Sequence, residues 1–151
     1  MSIMKILKVI LFSIVGVFVL FAGGSYVRNK IIGPEGWALD KTEAKLKSMM
    51  KDPASTEIRS AQAFVNADPK TGAKVIHICG VVDGKNSFGA YSGGTRFVSR
   101  SVATADTFDT YEVDLEDPED VSLSRAANLP SAFEKVYWAP YCSTKTVSEK
   151  S

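Results

Sequence analysis

Lys74-Val75-Ile76-His77-Ile78-Cys79-Gly80-Val81-Val82 is the segment that decides the fold. β-Branched residues dominate it and apolar side chains fall on both alternating faces, the pattern of a central strand with a helix packed over one side. Before it, Glu57 to Asn66 reads as a second strand anchored by Ile58, Phe64 and Val65, joined through the turn Asp68-Pro69-Lys70-Thr71-Gly72. After it, Arg96 to Ala105 reads as a third strand and Thr107 to Val113 as a fourth. Trp37 to Lys51 has helical periodicity, with Ala38, Leu39, Leu46, Met49 and Met50 as its apolar positions. Asp52-Pro53 ends that helix, because a residue before proline avoids the α region. Val121 to Asn128 reads as a short helix, and Pro130 to Tyr141 as a C-terminal helix with Phe133, Val136 and Tyr137 on its apolar face. The fold class predicted is α+β: a helix, a three- to four-stranded antiparallel meander and a C-terminal helix, preceded by a transmembrane helix.

The transmembrane expectation comes from Val9 to Val27, which carries no charged residue and is about the 20 residues a helix needs to cross a bilayer. Tyr26 stands where an interfacial aromatic belongs, and Lys5 and Lys8 precede the run. Two readings fit: an uncleaved anchor, or a signal peptide cleaved before Ser25 after the small residues Ala22 and Gly24. Both place the remainder outside the cytoplasm, in a bacterial periplasm. The organisation that follows is 1–30 as cytoplasmic stub and membrane anchor, 31–36 as linker around Gly33-Pro34 and Gly36, 37–142 as a periplasmic domain, and 143–151 as a polar tail.

Composition narrows the function. The 151 residues carry 18 basic and 17 acidic side chains, a net charge of +1, which argues against a nucleic-acid surface. With two cysteines not in a CxxC pair and one histidine, no metal site or cofactor is expected. In an oxidising compartment Cys79 and Cys142 are expected to pair, pinning the C-terminal helix onto the central strand; two separate buried thiols are the alternative. Such a bridge closes a loop of roughly 60 residues, for which chain entropy gives about 4 kcal/mol. His77 shares a strand face with Cys79 but lacks the orienting third group of a catalytic pair, so it reads as a core histidine. The carboxylates of Asp114 to Asp120 lack the central glycine of a calcium loop and read as a solvated turn. No catalytic constellation emerges, and the chain is not expected to be an enzyme.

What remains is the loop after the central strand, Asp83-Gly84-Lys85-Asn86-Ser87-Phe88-Gly89-Ala90-Tyr91-Ser92-Gly93-Gly94-Thr95-Arg96-Phe97. Gly84, Gly89, Gly93 and Gly94 permit positive φ, so the backbone can turn repeatedly here. Lys85, Asn86, Ser87, Phe88, Tyr91 and Arg96 are the candidate partner-binding residues. A tight corner, with Asn86 and Ser87 bonding their own backbone and Phe88, Tyr91 and Phe97 packed beneath, is the competing reading.

Cys79, Gly80, Val82, Lys85, Asn86, Ser87, Gly89, Tyr91, Gly93 and Phe97 form a pattern that resembles small bacterial and prophage-encoded envelope proteins, the best defined being the single-pass superinfection-exclusion proteins of lambdoid prophages. Lys51-Asp52-Pro53-Ala54-Ser55 and the cysteine after Tyr137-Trp138-Ala139-Pro140-Tyr141 resemble the same group. Ala90 and Gly94 depart from it, replacing a frequent glycine and a frequent aromatic. The resemblance implies a membrane-tethered periplasmic domain that blocks incoming phage DNA at the inner membrane, with a phage injection component or an inner-membrane protein as partner. An inhibitor of a periplasmic cell-wall hydrolase and a structural subunit of an envelope assembly are the alternatives.

Overall fold

Lys74–Asp83 does form a central strand in the computed structural model, which describes residues 13–14 and 32–143. It is β2 of an antiparallel sheet in the order β1-β2-β3-β4, the other strands being Glu57–Ala67 (β1), Thr95–Ala103 (β3) and Phe108–Leu115 (β4). The meander is thus four-stranded. β3 stops at Ala103, two residues earlier than predicted, because Thr104 Oγ1 accepts the backbone N–H groups of Asp106 and Thr107 and turns the chain.

The chain divides into two compact units, Met1–Gly33 and Pro34–Ser151. In the first, the predicted anchor at 9–27 lies outside the described residues apart from Ser13 and Ile14, which are helical. Among the described residues, no helix is long and apolar enough to cross a membrane. The expected linker at 31–36 is helical over its described part, 32–36, with Gly33 at a φ of 62°. Pro34 therefore lies within a helical run rather than ending it, and the part of that run in the second unit is α1 (34–49).

α1 presents Ala38, Thr42 and Leu46 as a fully buried stripe at a spacing of four, with Met50 packed beside it. Leu39 and Met49, predicted on that face, are exposed instead, since Thr42 takes the central place. Beneath the stripe lie Ile76, Ile78 and Val82 of β2 with Phe97 and Ala103 of β3. Each of the larger buried side chains contributes about 1.5–3 kcal/mol. Small hydroxyls fill the rest of this layer in pairs: Thr42 Oγ1 lies 2.6 Å from Ser99 Oγ, and Ser101 Oγ 2.8 Å from Thr110 Oγ1. Pairing removes the penalty that lone buried hydroxyls carry.

Helix covers the opposite face as well, a correction to the one-sided sheet expected. After a short helix α2 (Pro118–Ala126), a C-terminal helical segment runs over 132–142, and Asp120 Oδ2 caps it by accepting the Ala132 N–H at 2.8 Å. Its middle, Glu134–Trp138, is wound as a π-helix. The wider turn brings residues five apart into line, so Phe133 and Trp138 both face the sheet, with ring centroids 6.2 Å apart. Val136, predicted on the apolar face, turns out to solvent at 55 % exposure for the same reason. Cys79 and Cys142 form the disulfide across a Cα separation of 5.8 Å, and they pack with Val98, Phe133, Phe64, Tyr137 and Trp138 into a second small core.

Candidate functional site

The loop between β2 and β3 is built around Asp83, a residue the sequence did not single out. Its carboxylate is fully buried at the end of β2. It accepts the Gly84 N–H at 2.8 Å, the Ser92 N–H at 3.1 Å and the Ser92 hydroxyl at 3.2 Å. It also pairs with the guanidinium of Arg59. The β1–β2 register shifts between Ile58 and Ser60, leaving Arg59 without an opposite residue on β2 and free to reach this carboxylate. One buried anion therefore ties both stems of the loop to the edge strand. Desolvation pushes the carboxyl up, but the hydrogen bonds from Gly84 and Ser92 and the Arg59 charge outweigh it and hold it below the ordinary carboxylate range.

Above this base the chain forms a small hairpin. Ser92 N–H donates to the Gly84 carbonyl at 3.2 Å, and Lys85 bridges Tyr91 in antiparallel fashion. Asn86 shapes the tip: its backbone N–H donates to the Ala90 carbonyl at 2.8 Å, and its Oδ1 accepts the Phe88 and Ala90 N–H groups at 2.9 and 3.2 Å. Gly89 closes the turn at a φ of 78°, in the left-handed region that glycine enters without strain. Gly93 and Gly94 also take positive φ, whereas Gly84 does not. Asn86 thus bonds its own backbone as the corner reading expects.

The aromatics do not follow that reading. Phe88 stands at the tip with 95 % of its surface exposed, and Tyr91 is 47 % exposed with Lys85 Nζ 5.8 Å from its ring. Phe97 alone is buried, under α1. Ser87 is exposed and accepts from Lys51 Nζ at 3.4 Å. Lys85, Asn86, Ser87, Phe88 and Tyr91 therefore share one protrusion.

Arg96 is not part of it. It lies in β3, where its guanidinium grips Glu116 through Nε at 2.9 Å and Nη2 at 2.6 Å, and Glu134 through Nη1 at 2.6 Å. It sits 4.8 Å from the Trp138 ring and 5.6 Å from that of Phe133. Its hydrogen bond to Glu116 dominates the environment that raises its pKa, and its role is to clamp the C-terminal segment to the sheet. The acidic turn likewise turns out to be wired into the structure: Glu116 pairs with Arg96, Asp117 caps α2 and Asp120 caps the C-terminal segment.

The two motifs quoted from the sequence meet here. Asp52 caps the single turn Pro53–Ser55, and Ser55 Oγ accepts the Lys85 N–H at 2.9 Å while Lys51 reaches Ser87. The segment after α1 is thus a buttress for the hairpin. Arg59, Asp83, Ser55 and Lys51 were not among the candidate residues. An aspartate closing an apolar strand just before glycine was the one available signal, and its partners come from distant positions.

His77 is buried against the C-terminal segment, its ring stacked on Tyr141 at 4.2 Å. Neither ring nitrogen has a hydrogen-bond partner among the described residues. Desolvation, with the nearby Arg100 charge, pushes its pKa down and keeps the ring neutral. It is a core histidine. A cavity of about 270 Å³ opens beside the disulfide, bounded by Gln62, Phe64 and Trp138. Among the described residues, no group of three or more His, Cys, Asp or Glu side chains is arranged to hold a metal ion.

Asp83→Asn is expected to lower the melting temperature and to flatten the acid limb of stability. Because the folded pKa lies below the unfolded one, the carboxylate's contribution is complete above about pH 3.9 and is lost as pH falls through the folded value. Melts of both proteins from roughly pH 2 to 6 check this: the variant should be less stable at neutral pH, and the gap should close in acid.

No family model, curated protein or solved structure matches this chain.

Proposed function

We propose that this chain is a membrane-tethered binding protein of the bacterial envelope that excludes superinfecting phage, acting by contact at the 85–91 hairpin. The exposure of Phe88 at the tip of an internally hydrogen-bonded hairpin carries this reading. A large aromatic held in water gains nothing for the fold, while burying it against a partner is worth about 1.5–3 kcal/mol. The base contributes pre-organisation: with Asp83, Asn86 and Ser55 fixing the backbone, little conformational entropy remains to be lost on binding. Tethering through 9–27, a periplasmic location, and a phage injection component or inner-membrane protein as the partner belong to the same proposal. They are supported by the apolar run and by the resemblance of the 51–55 and 79–97 motifs to prophage exclusion proteins.

Cells expressing the protein should adsorb siphophages normally and plate them poorly. Phe88→Ala should restore plating while leaving the protein's level and melting temperature unchanged, the pattern of a contact hot spot worth about 2 kcal/mol or more. Unchanged plating of every tested phage on cells with the unaltered protein overturns the exclusion reading. Full exclusion by Phe88→Ala overturns the role of the tip.

A further inference from the structure

The two edges of the sheet are treated differently. β4 is guarded: Asp109, Glu112 and Asp114 lie along it, its pairing with β3 carries a bulge between Arg100 and Ser101, and Lys45 Nζ occupies the Thr110 and Tyr111 carbonyls at 2.6 and 3.2 Å. Charges, irregularities and covering groups of this kind keep an edge from pairing with another strand. β1 has such protection only at its start, where Glu57, Arg59 and the bulge lie. From Ser60 to Ala67 it runs Ser-Ala-Gln-Ala-Phe-Val-Asn-Ala, with no charge, no proline and regular pairing to β2. Its other edge pairs with no strand among the described residues. Ala61, Ala63, Val65 and Ala67 alternate along one side of it and are all exposed, so the strand carries an apolar row its own fold does not bury.

We infer that β1 pairs antiparallel with β1 of a second copy of this chain about a two-fold axis, joining two sheets into one of eight strands. Strand composition favours a copy of itself as occupant. An isologous pairing sets each residue opposite one whose number sums with its own to a constant, so a strand bearing like charges along its length repels itself. Here 60–67 is neutral, and in a pairing centred on Ala63, with Ala61 opposite Val65, Arg59 falls opposite the uncharged Ala67 of the other strand and Glu57 beyond that strand's end. The alanine row of one strand then continues into that of the other. This inference rests on the sheet edge and not on the hairpin.

A photo-crosslinking residue placed at Ala63 of the full-length protein in cells tests it, with Asp109 on β4 as the control position. Irradiation should give a covalent product of twice the 16.3 kDa chain from position 63 and none from 109, with peptide mapping placing the link in β1. Gln62→Lys/Ala63→Lys sets lysines against lysines across the axis and should leave the purified protein folded by circular dichroism but monomeric by light scattering. Crosslinks from position 63 only to other proteins or within the same chain, or a dimer unaffected by the lysines, overturn the inference.

Discussion

Gly80→Ala is expected to prevent stable folding, although it adds a single methyl group. A Cβ built on Gly80 lies 2.1 Å from the Ser60 carbonyl oxygen and 2.9 Å from Cε1 and Cζ of Phe97. Neither neighbour can yield cheaply. The oxygen belongs to β1 just after the bulge, and the ring is fully buried among Ile76, Ile78 and Val82. Overpacking usually costs about 1–3 kcal/mol, and with a backbone atom in the way the upper end or more is expected. That is a large share of the 5–15 kcal/mol typical of a small domain. Gly72→Ala is the control. Unlike Gly80 it has a positive φ, of 69°, but nothing lies within 4 Å of its Cβ, so its penalty is backbone strain of about 1 kcal/mol. Thermal melts should show Gly80→Ala lowered by roughly 10 °C or more, or already unfolded, and Gly72→Ala lowered by a few degrees. Equal, small losses in both would mean that β1 can shift off Gly80.

The contrast shows what the sequence makes legible. Gly80 was visible as a motif residue, but the reason for it is the approach of a carbonyl twenty positions upstream, which no local pattern encodes. β2 and its neighbours were legible because burial and β-branching repeat at a fixed period within each strand. The helix stripe was half legible: four-residue spacing selects Ala38 and Leu46, yet it passes through Thr42, whose hydroxyl is tolerable only because Ser99 meets it from the sheet. The C-terminal face was misread at Val136 because a π-helical stretch abandons the 3.6-residue period on which the reading depended. Lys85, Asn86, Ser87, Phe88 and Tyr91 were readable as one loop, since glycine density is local. Arg96 could not be separated from them without knowing that Glu116 and Glu134 converge on it. The Asp83 base was hidden for the same reason: Arg59 and Ser92 reach it from opposite directions along the chain.

Removing the disulfide by Cys79→Ala/Cys142→Ala is expected to cost about 4 kcal/mol, the chain-entropy value for cross-linking residues 63 apart. The loss should fall unevenly. The layer under α1 holds Leu46, Ile76, Ile78, Val82 and Phe97 and does not involve the bridge. The opposite layer consists of Cys79, Val98 and Phe133, with Trp138 and Cys142 at its margin, so the disulfide supplies two of its members. Without it the C-terminal segment is held by the Arg96–Glu134 pair, the stacking of Tyr141 on His77 and the packing of Phe133 and Trp138. A part-exposed ion pair and one ring stack contribute about 1 kcal/mol each at most. The two tryptophans report on separate layers, Trp37 beside Phe108 at the start of β4 and Trp138 beside Arg96. With Trp37→Phe as background, the double-alanine protein should show a red-shifted, more quenchable Trp138 before the circular dichroism of the sheet changes, and cleavage by protease should begin in the C-terminal segment. Gly80→Ala should lose both signals together, because it breaks the β1–β2 pairing that both layers share. Simultaneous loss in the disulfide variant would instead make the two cores one cooperative unit, with the bridge securing the whole domain.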